Sequence, residues 1–517
     1  MMSLTGTALL LRQDLRRDRI IVPAWLAVLV LMTYASASAT GTLFRSVQER
    51  ETIAASLNEQ PGLLALYGPI LNPHSAGELA MSKLTVLYAL LSAILYVVLV
   101  RRHTRVEEET GRAELAAGTV IARDAPMAAV AVEACAVAAA LGLLVCLANI
   151  AGGLPVAGSV WFGVSWAGTG LVATGVAAVA CQVSASARTC GSIAAALLAG
   201  AFAVRAVGDA IDGLGWLSWL SPLGWNTQLR AWSDPRWWVV GLYVALAAGL
   251  LALAQMMRSR RDIGAGLISA RPGPTAGRIS SPEGLTFRLH RTSLALWTAG
   301  VALTGLLFGA MAPGFDGLLS GAGGRELVDR LGGTFIAALL PVAAIVTTCF
   351  PIAVISSAHQ DEVAGRTGFA LSTTTSRGRW FAATAALAWG GAAWLLLVTG
   401  IALWAGYASA GGVDAKAVVP AALGWVPAVW LVGGLALVGF GLRIGAVGWV
   451  FLVLFLATTL VGELLELPTW MVNLSPYSAV PAYPASAWTW TPDLVLTALA
   501  LSIAGGAWWL FGRRDIS

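Results

Sequence analysis

Long apolar stretches recur along the whole chain, each close to the ~20 residues with which a helix crosses a bilayer. Hydrocarbon contains no water that could bond to backbone N–H and C=O groups, so each stretch must be a helix that pairs its own backbone. Only 11% of the 517 residues are charged, against about a quarter in average proteins. The pattern predicts an all-α polytopic membrane protein with about twelve transmembrane helices. The predicted spans lie near 20–39, 80–100, 126–149, 160–182, 190–207, 237–257, 292–312, 334–356, 380–405, 417–440, 446–465 and 492–512.

The same unit occurs twice in the chain. Near the start of each copy a shift of 272 residues places Arg16 and Trp25 on Arg288 and Trp297. Further along the shift is 254 residues, and charges, glycines and prolines match in order without a gap. Such self-similarity indicates a duplication. Among the residues that match are Glu108, Gly111, Arg112, Ser221 and Pro222 with Glu362, Gly365, Arg366, Ser475 and Pro476.

The duplication predicts the domain organisation. Each copy holds six spans, and because six is even, both copies run the same way through the membrane as parallel repeats, unlike the inverted repeats of many carriers. We predict a first six-helix half over 1–257, a cytoplasmic linker rich in Gly, Pro and Ser over 258–285, and a second half over 286–517. Leu4 to Arg19 is predicted to be an interfacial amphipathic helix and Thr286 to Arg291 to start its counterpart, with topology-setting charge as the alternative.

Basic residues set the predicted orientation. Most of the 32 Lys and Arg fall in the loops and tails that share a side with the N-terminus, and positive charge favours the cytoplasmic side. We therefore expect a multi-pass protein of the cell membrane with both termini in the cytoplasm and an uncleaved first span. Nearly all of these residues are arginine, which together with the Ala and Gly content suggests a GC-rich, actinobacterial genome.

Several kinds of catalytic site are absent from the sequence. The only lysines, Lys83 and Lys416, follow Ser and Ala, so the chain contains no GxxxxGK[ST] phosphate loop. It also lacks HExxH, GxSxG and any His/Cys spacing typical of a metal site. The arginines form no continuous basic surface of the kind that binds nucleic acid. We expect no catalytic residues, no metal and no cofactor in this chain, so that work must come from an ion gradient or a partner.

A dense charge cluster, "VEEETGRAEL" at 106–115, follows the second span, and a weaker copy, "QDEVAGRTGF" at 360–369, follows the second span of the other half. Acids favour the N-terminal end of a short helix, the glycine permits close approach, and the arginine could pair with a carboxylate of another protein. A solvated loop is the alternative. Because the motif occurs at the same loop in both halves, we favour a docking surface.

These features together resemble the membrane subunit of an ATP-binding-cassette exporter, of the group described as exporters of polyketide antibiotics and related to ABC-2-type permeases. The resemblance rests on "RVEEETGRAEL", on "LSPLGW" (220–225) and "LSPY" (474–477), and on the duplicated six-span layout. It implies that the loop after the second span carries a coupling helix, that two copies of a separate ATPase chain bind ATP and Mg²⁺, and that hydrophobic compounds such as antibiotics are exported. The implied coupling residues are Glu107, Glu108, Glu109, Gly111, Arg112, Glu114, Asp361, Glu362, Gly365 and Arg366.

The resemblance also implies short re-entrant helices before the last span of each half, within Gly208 to Trp238 and Gly462 to Trp490. Charges at membrane depth usually face a cavity or one another, and five such residues are candidates for the translocation path. Arg205 and Asp209 lie one helical turn apart, so an internal pair is the alternative for these two. The five candidates are Glu133, Arg205, Asp209, Glu463 and Glu466.

Two other classes of function compete with this hypothesis. A twelve-span, ion-coupled secondary carrier would also be a parallel repeat of six, but "GRAELAAGTVIAR" does not supply the GxxxDRxGRR-like loop that such carriers usually contain. A membrane-embedded transferase should show a cluster of catalytic acids or histidines at a loop, and no such cluster stands out. A gene for a lone ATPase subunit beside this one would distinguish the exporter from both.

Overall fold

A computed structural model describes residues 4–43, 47–58, 61–211, 213–268, 277, 279–319, 335–410, 417–461, 474–481, 483 and 488–515. Every regular element within these ranges is helical, which confirms the all-α prediction. The chain forms two compact units, Met1–Gly273 and Pro274–Ser517.

The first unit contains helices α1 to α14. A π-helical turn, Leu84–Tyr88, joins α5 to α6, so the second span is not a uniform α-helix. The helices are Thr7–Arg17, Ile21–Leu43, Val47–Asn58, Pro61–Tyr67, Ala76–Lys83, Ala89–His103, Arg105–Glu109, Arg112–Ala117, Ala125–Ala151, Val156–Val183, Ala187–Ala210, Leu217–Leu220, Trp225–Gln228 and Trp238–Ser259.

The second unit contains helices α15 to α22. Its second span, α16, is continuous although Pro341 and Pro351 lie inside it. The segment Thr286 to Arg291, predicted to start an interfacial helix, is part of α15, which continues into the seventh span; its place at the membrane interface stays a prediction. The helices are Pro282–Leu319, Phe335–Val363, Arg366–Leu371, Arg377–Ser409, Val418–Leu423, Val426–Gly441, Val447–Val461 and Trp490–Arg513.

Eleven helical segments in the described part of the chain are long and apolar enough to cross a membrane. They coincide with eleven of the twelve predicted spans. The remaining prediction, 446–465, begins with the apolar helix α21, and its last residues lie outside the described ranges. The prediction of a polytopic membrane protein is confirmed.

The fourth span of each unit lies at its centre. In the first unit α10 packs against α6, α9, α11 and α14, and in the second α20 packs against α16, α18, α21 and α22. Small residues allow this close packing, which matters in lipid because the tails are as apolar as the helices. A Cβ on Gly163 of α10 would lie 2.2 Å from the carbonyl oxygen of Gly142 on α9. The two backbones are therefore in direct contact where these glycines meet.

The first residues of the predicted linker belong to the first unit. The backbone N–H of Leu267 donates to the carbonyl of Gln182 at 3.0 Å, and that of Ile268 donates to Val183 at 3.0 Å. These bonds satisfy carbonyls at the end of α10, so residues up to 268 are bound to the unit and are not a free linker. The division between the two compact units lies further along, after Gly273.

The N-terminal helix α1 packs against α9. Asp14 is buried, while Leu9 and Leu15 are exposed. Outward leucines on a helix that precedes the first span are typical of a segment lying in a lipid interface. Its position on the inner leaflet stays a prediction.

The contact between α9 and α10 generates a test. Gly163→Ala should lower the thermal unfolding midpoint in detergent, because the new methyl group forces the backbones apart at a cost of about 1–3 kcal/mol. Gly200→Ala on α11 is the matched control, since a Cβ there meets nothing within 4 Å and alanine favours a helix. Equal midpoints for the two variants would contradict the close packing of α9 on α10.

Candidate functional site

The loop after the second span of the first unit contains two short helices joined at a glycine. Helix α7 ends at Glu109, and α8 begins at Arg112. Gly111 between them has φ 75°, in the left-handed region, which a residue without Cβ adopts at little cost. The glycine of the motif thus allows the chain to turn sharply between the acidic helix and the next one.

Glu108 fixes this loop from inside. Its carboxylate accepts bonds from Arg105 Nη1 at 2.9 Å and from Arg261 Nη1 and Nη2, each at 2.7 Å. The backbone N–H of Gly264 donates to it as well, at 3.2 Å. Arg105 is fully buried and donates to the carbonyl of Cys181 at the end of α10. The acid therefore joins the loop to the segment that follows α14.

The corresponding loop of the second unit has the same design. Helix α17 begins after Gly365, whose φ is 73°. The buried Glu362 pairs with Arg514, which follows α22, and with Nε of Arg443 at 3.4 Å. Burial lowers the pKa of Arg514 below its ordinary value, and the Glu362 carboxylate acts in the opposite direction, so the guanidinium remains charged. In both units a buried glutamate joins the loop to residues after the sixth span.

A second ion pair is also repeated. Arg112 Nη1 lies 3.2 Å from Glu107 Oε1, and Arg366 Nη2 lies 2.7 Å from Asp361 Oδ1. Both arginines are largely exposed, and their acids occupy the same position of the repeat. Glu107 additionally accepts from Arg17 of α1 at 2.7 Å. The motif arginine is thus held by its own loop and keeps donors available at the surface.

Each loop exposes a large apolar residue at the same position. Leu115 on α8 is 77% exposed, and Phe369 on α17 is 80% exposed. The 254-residue shift places one on the other. An exposed leucine by itself needs no explanation, but two large apolar residues at the same exposed position of a duplicated loop form a surface suited to contact with another protein.

Comparison with known proteins identifies the chain. Residues 279–512 match the family model described as "Multidrug efflux system permease Rv1217c, C-terminal domain". The chain is 39% identical to the multidrug efflux system permease protein Rv1217c of Mycobacterium tuberculosis, over 99% of its own length and 95% of that protein. The chain belongs to this family of multidrug efflux permeases. The resemblance to an exporter permease is confirmed, and the mycobacterial relative agrees with the actinobacterial composition.

The remaining predicted coupling residues of the permease occupy two kinds of position. Glu109 accepts a bond from the backbone N–H of Ala187 at 3.1 Å, at the first residue of α11, where a carboxylate is favourable. Glu114 is exposed on α8. The structure therefore separates the motif into residues that hold the loop in place, Glu108 and Glu109 above all, and residues that it presents outward.

Arg205 and Asp209, two of the candidates for the translocation path, form an ion pair with each other, as the alternative interpretation of the sequence expected. Arg205 Nη1 lies 3.0 Å from Asp209 Oδ2. Arg205 is fully buried and also donates to the carbonyl of Ala65 in α4, while Asp209 accepts from Ser218 beyond α11. The pair joins the end of α11 to the short helices α4 and α12. A contact of either residue with substrate stays a prediction.

Of the other three candidates for the translocation path, the structure describes only Glu133. Glu133 is 1% exposed on α9, close to His103 of α6, and its predicted role in translocation stays a prediction. Glu463 and Glu466 lie outside the described residues. Of the two segments predicted as re-entrant, the first forms the short helices α12 and α13, and most of the second lies outside the described ranges.

Sequence reasoning missed the partners of the motif glutamates. Arg261 and Arg514 lie far along the chain from Glu108 and Glu362, and only folding brings them together. A signal was present, because the 254-residue shift places Arg514 on Arg260, next to Arg261. The match of Leu115 with Phe369 under the same shift was another signal.

Glu108→Gln tests the internal role of the motif glutamate. Removing one partner of a buried charge pair costs about 3–5 kcal/mol, so the unfolding midpoint of the permease in detergent should fall and the loop should become sensitive to limited proteolysis. Glu114→Gln is the matched control, since that acid is exposed on the same loop. Unchanged stability and protection in Glu108→Gln would contradict the assignment.

Proposed function

We propose that this permease is the membrane subunit of an ATP-driven exporter and that its two loops couple it to two copies of a separate ATPase chain. ATP and Mg²⁺ would bind to that partner. The observation that carries the proposal is the repetition of one loop design in both units: a buried glutamate, a left-handed glycine, a surface ion pair and an exposed apolar residue. Duplication explains why the loop recurs, and a shared contact would explain why both copies keep a large apolar residue, Leu115 or Phe369, at the same exposed position.

The loop design suits the transmission of force. Glu108 and Glu362 bind arginines that follow the last span of their own unit, so a displacement of either loop would be passed to two spans at once. Leu115 and Phe369 provide the apolar centre of a contact, and Arg112 and Arg366 provide a charged rim. Protein–protein interfaces gain most of their binding energy from a few large side chains at the centre, surrounded by polar residues.

The sequence supports the topology that this function requires. The sequence predicts six spans in each half, which would place both loops on the same side of the membrane, and the arginine-rich loops favour the cytoplasm as that side. A cytoplasmic ATPase would then reach both loops. The chain contains no phosphate loop, so a separate chain would hydrolyse the ATP.

Hydrophobic compounds are the proposed cargo, and the proposed direction is outward. The relative in Mycobacterium tuberculosis is named as part of a multidrug efflux system, and we extend that class of cargo to this chain. Among the charged candidates for the path, Arg205 and Asp209 are joined to Ser218 near the short helices α12 and α13, where the resemblance expects re-entrant helices at the outer face.

Composition of the complex is the first test. Native mass measurement of the permease purified with its partner should give one permease chain and two ATPase chains, and the permease alone should hydrolyse no ATP. Robust ATPase activity from the permease alone, or a stable complex that lacks an ATPase chain, would overturn the proposal.

Leu115→Asp and Phe369→Asp test the coupling loops directly. Each should reduce retention of the ATPase chain on a tagged permease by at least about tenfold, since loss of a central interface residue typically costs 2 kcal/mol or more. Export in cells should fall with it, while abundance in the membrane stays normal because both side chains are exposed. Val120→Asp is the matched control: it is 88% exposed near the same loop, but its counterpart, Thr374, is polar. Normal retention in both loop variants would show that the loops are only solvated turns.

A further inference from the structure

A buried cluster of ionisable residues lies where α1, α6 and α9 of the first unit meet. Asp14 is in α1, Asp18 follows it, His103 ends α6, and Glu133 is in α9. All four are buried, and Glu133 is 1% exposed. The exporter function proposed above uses none of their side chains for coupling.

The imidazole of His103 is at the centre of the cluster. Its Nδ1 lies 3.0 Å from Asp14 Oδ1, and its Nε2 lies 2.7 Å from Asp18 Oδ2. Glu133 Oε2 is further away, 3.9 Å from the same Nε2. Neither oxygen of Glu133 accepts a hydrogen bond from any described residue. A buried acid without a partner is rare, and this one is directed at the imidazole.

The charges of the cluster do not balance. Three carboxylates are opposed by Arg102, whose Nη1 lies 3.1 Å from Asp18 Oδ1, and by at most one positive charge on His103. With all three acids ionised, one negative charge would be left over in this buried site, where an uncompensated charge is strongly unfavourable. A divalent cation beside a neutral imidazole would neutralise the group completely.

We propose that Asp18, His103 and Glu133 bind a divalent transition-metal ion of the Zn²⁺ class. Their ligand atoms all lie within 4.8 Å of one another. A tetrahedral ion with bonds of ~2.0–2.2 Å holds its ligands about 3.3 Å apart, and the separations of 2.7 and 3.9 Å at Nε2 lie on either side of that value. An imidazole with two carboxylates is a mixed nitrogen and oxygen donor set that suits such ions.

The surroundings of the three ligands also suit a metal. A histidine that binds metal usually has its other ring nitrogen next to a carboxylate, which fixes the tautomer and raises basicity, and Asp14 occupies that position beside Nδ1. Arg102 orients Asp18 in the same way. A cavity of about 180 Å³, lined in part by Asp14 and His103, adjoins the cluster. It brings solvent to the edge of the cluster, at the side of the imidazole that faces Asp14.

The ion would join three elements near the coupling loop. His103 is followed within two residues by Arg105 and α7, and Glu107 of α7 binds Arg17 of α1. Metal binding would thus hold α1 and α9 against the end of α6, from which the loop extends. Its role is to position the loop, and no step of transport passes through the ion.

The second unit lacks this site. The repeat shifts place Thr286 and His290 on the two aspartates, Ser357 on His103 and Leu387 on Glu133. One ion per chain is therefore expected. Sequence spacing predicted no metal at all, because ligands from three separate elements form no local motif; the structure brings them together.

Metal analysis of the full-length permease tests the proposal. The protein would be purified without chelator, with an affinity tag that contains no histidine, dialysed against Zn²⁺ and freed of excess ion. We expect about one Zn²⁺ per chain and a loss of at least tenfold in Glu133→Gln and in His103→Asn. His74→Asn is the matched control, because His74 lies 3.0 Å from Glu51 at the exposed surface and should not alter the stoichiometry.

A second measurement on the unaltered protein guards against variants that misfold. X-ray absorption of the bound Zn²⁺ should show imidazole scattering with oxygen ligands and no sulfur, and Co²⁺ in its place should give the visible bands of a low-coordinate site. The proposal is overturned by less than about a tenth of an ion per chain, by a spectrum without imidazole, or by full metal content in both ligand variants.

Discussion

A buried carboxylate paired with arginine holds each of the two loops against the end of its own unit. Glu108 does this with Arg105 and Arg261, and Glu362 does it with Arg514 and Arg443. Removal from water makes such pairs sensitive to the loss of either partner, so a loop and the segment after the sixth span behave as one body. The exposed apolar residue and the surface arginine of each loop depend on this support for a fixed position. A rigid loop is also what a partner would need in order to move the spans behind it.

Close packing around the fourth span of each unit provides the frame for those loops. In lipid there is no hydrophobic driving force for apolar helices to associate, so contact between helices depends on shape complementarity and on polar hydrogen bonds. Glycines at 142 and 163 bring α9 and α10 into backbone contact, and Arg105 donates to a carbonyl at the end of α10. The central helix therefore connects the packed interior of the first unit to its loop.

The two units share one loop design but differ in the buried residues next to the loop, at the end of the second span. In the first, acids and a histidine are buried together between α1, α6 and α9, whereas the second has Leu387 and Ser357 at the corresponding positions. The loops differ too, since Glu109 accepts a bond from Ala187 in the first unit and its counterpart in the second is the exposed Val363. After the duplication both units kept the supporting glutamate and an exposed apolar residue, whereas the buried residues next to each loop diverged.

The sequence by itself determined the spans, the duplication and the place of the motif, because hydrocarbon imposes helices of a given length and because repeated charges and glycines are visible in one dimension. It also located Glu108 and Glu362, but it assigned both to a surface contact. Only the tertiary structure decided that these acids are buried against arginines some 150 residues away, that the exposed positions belong to Leu115 and Phe369, and that Asp18, His103 and Glu133 meet. Those outcomes depend on which helices pack together, and in a membrane the packing is set by shape at small residues and by individual polar bonds, neither of which leaves a periodic pattern in the sequence.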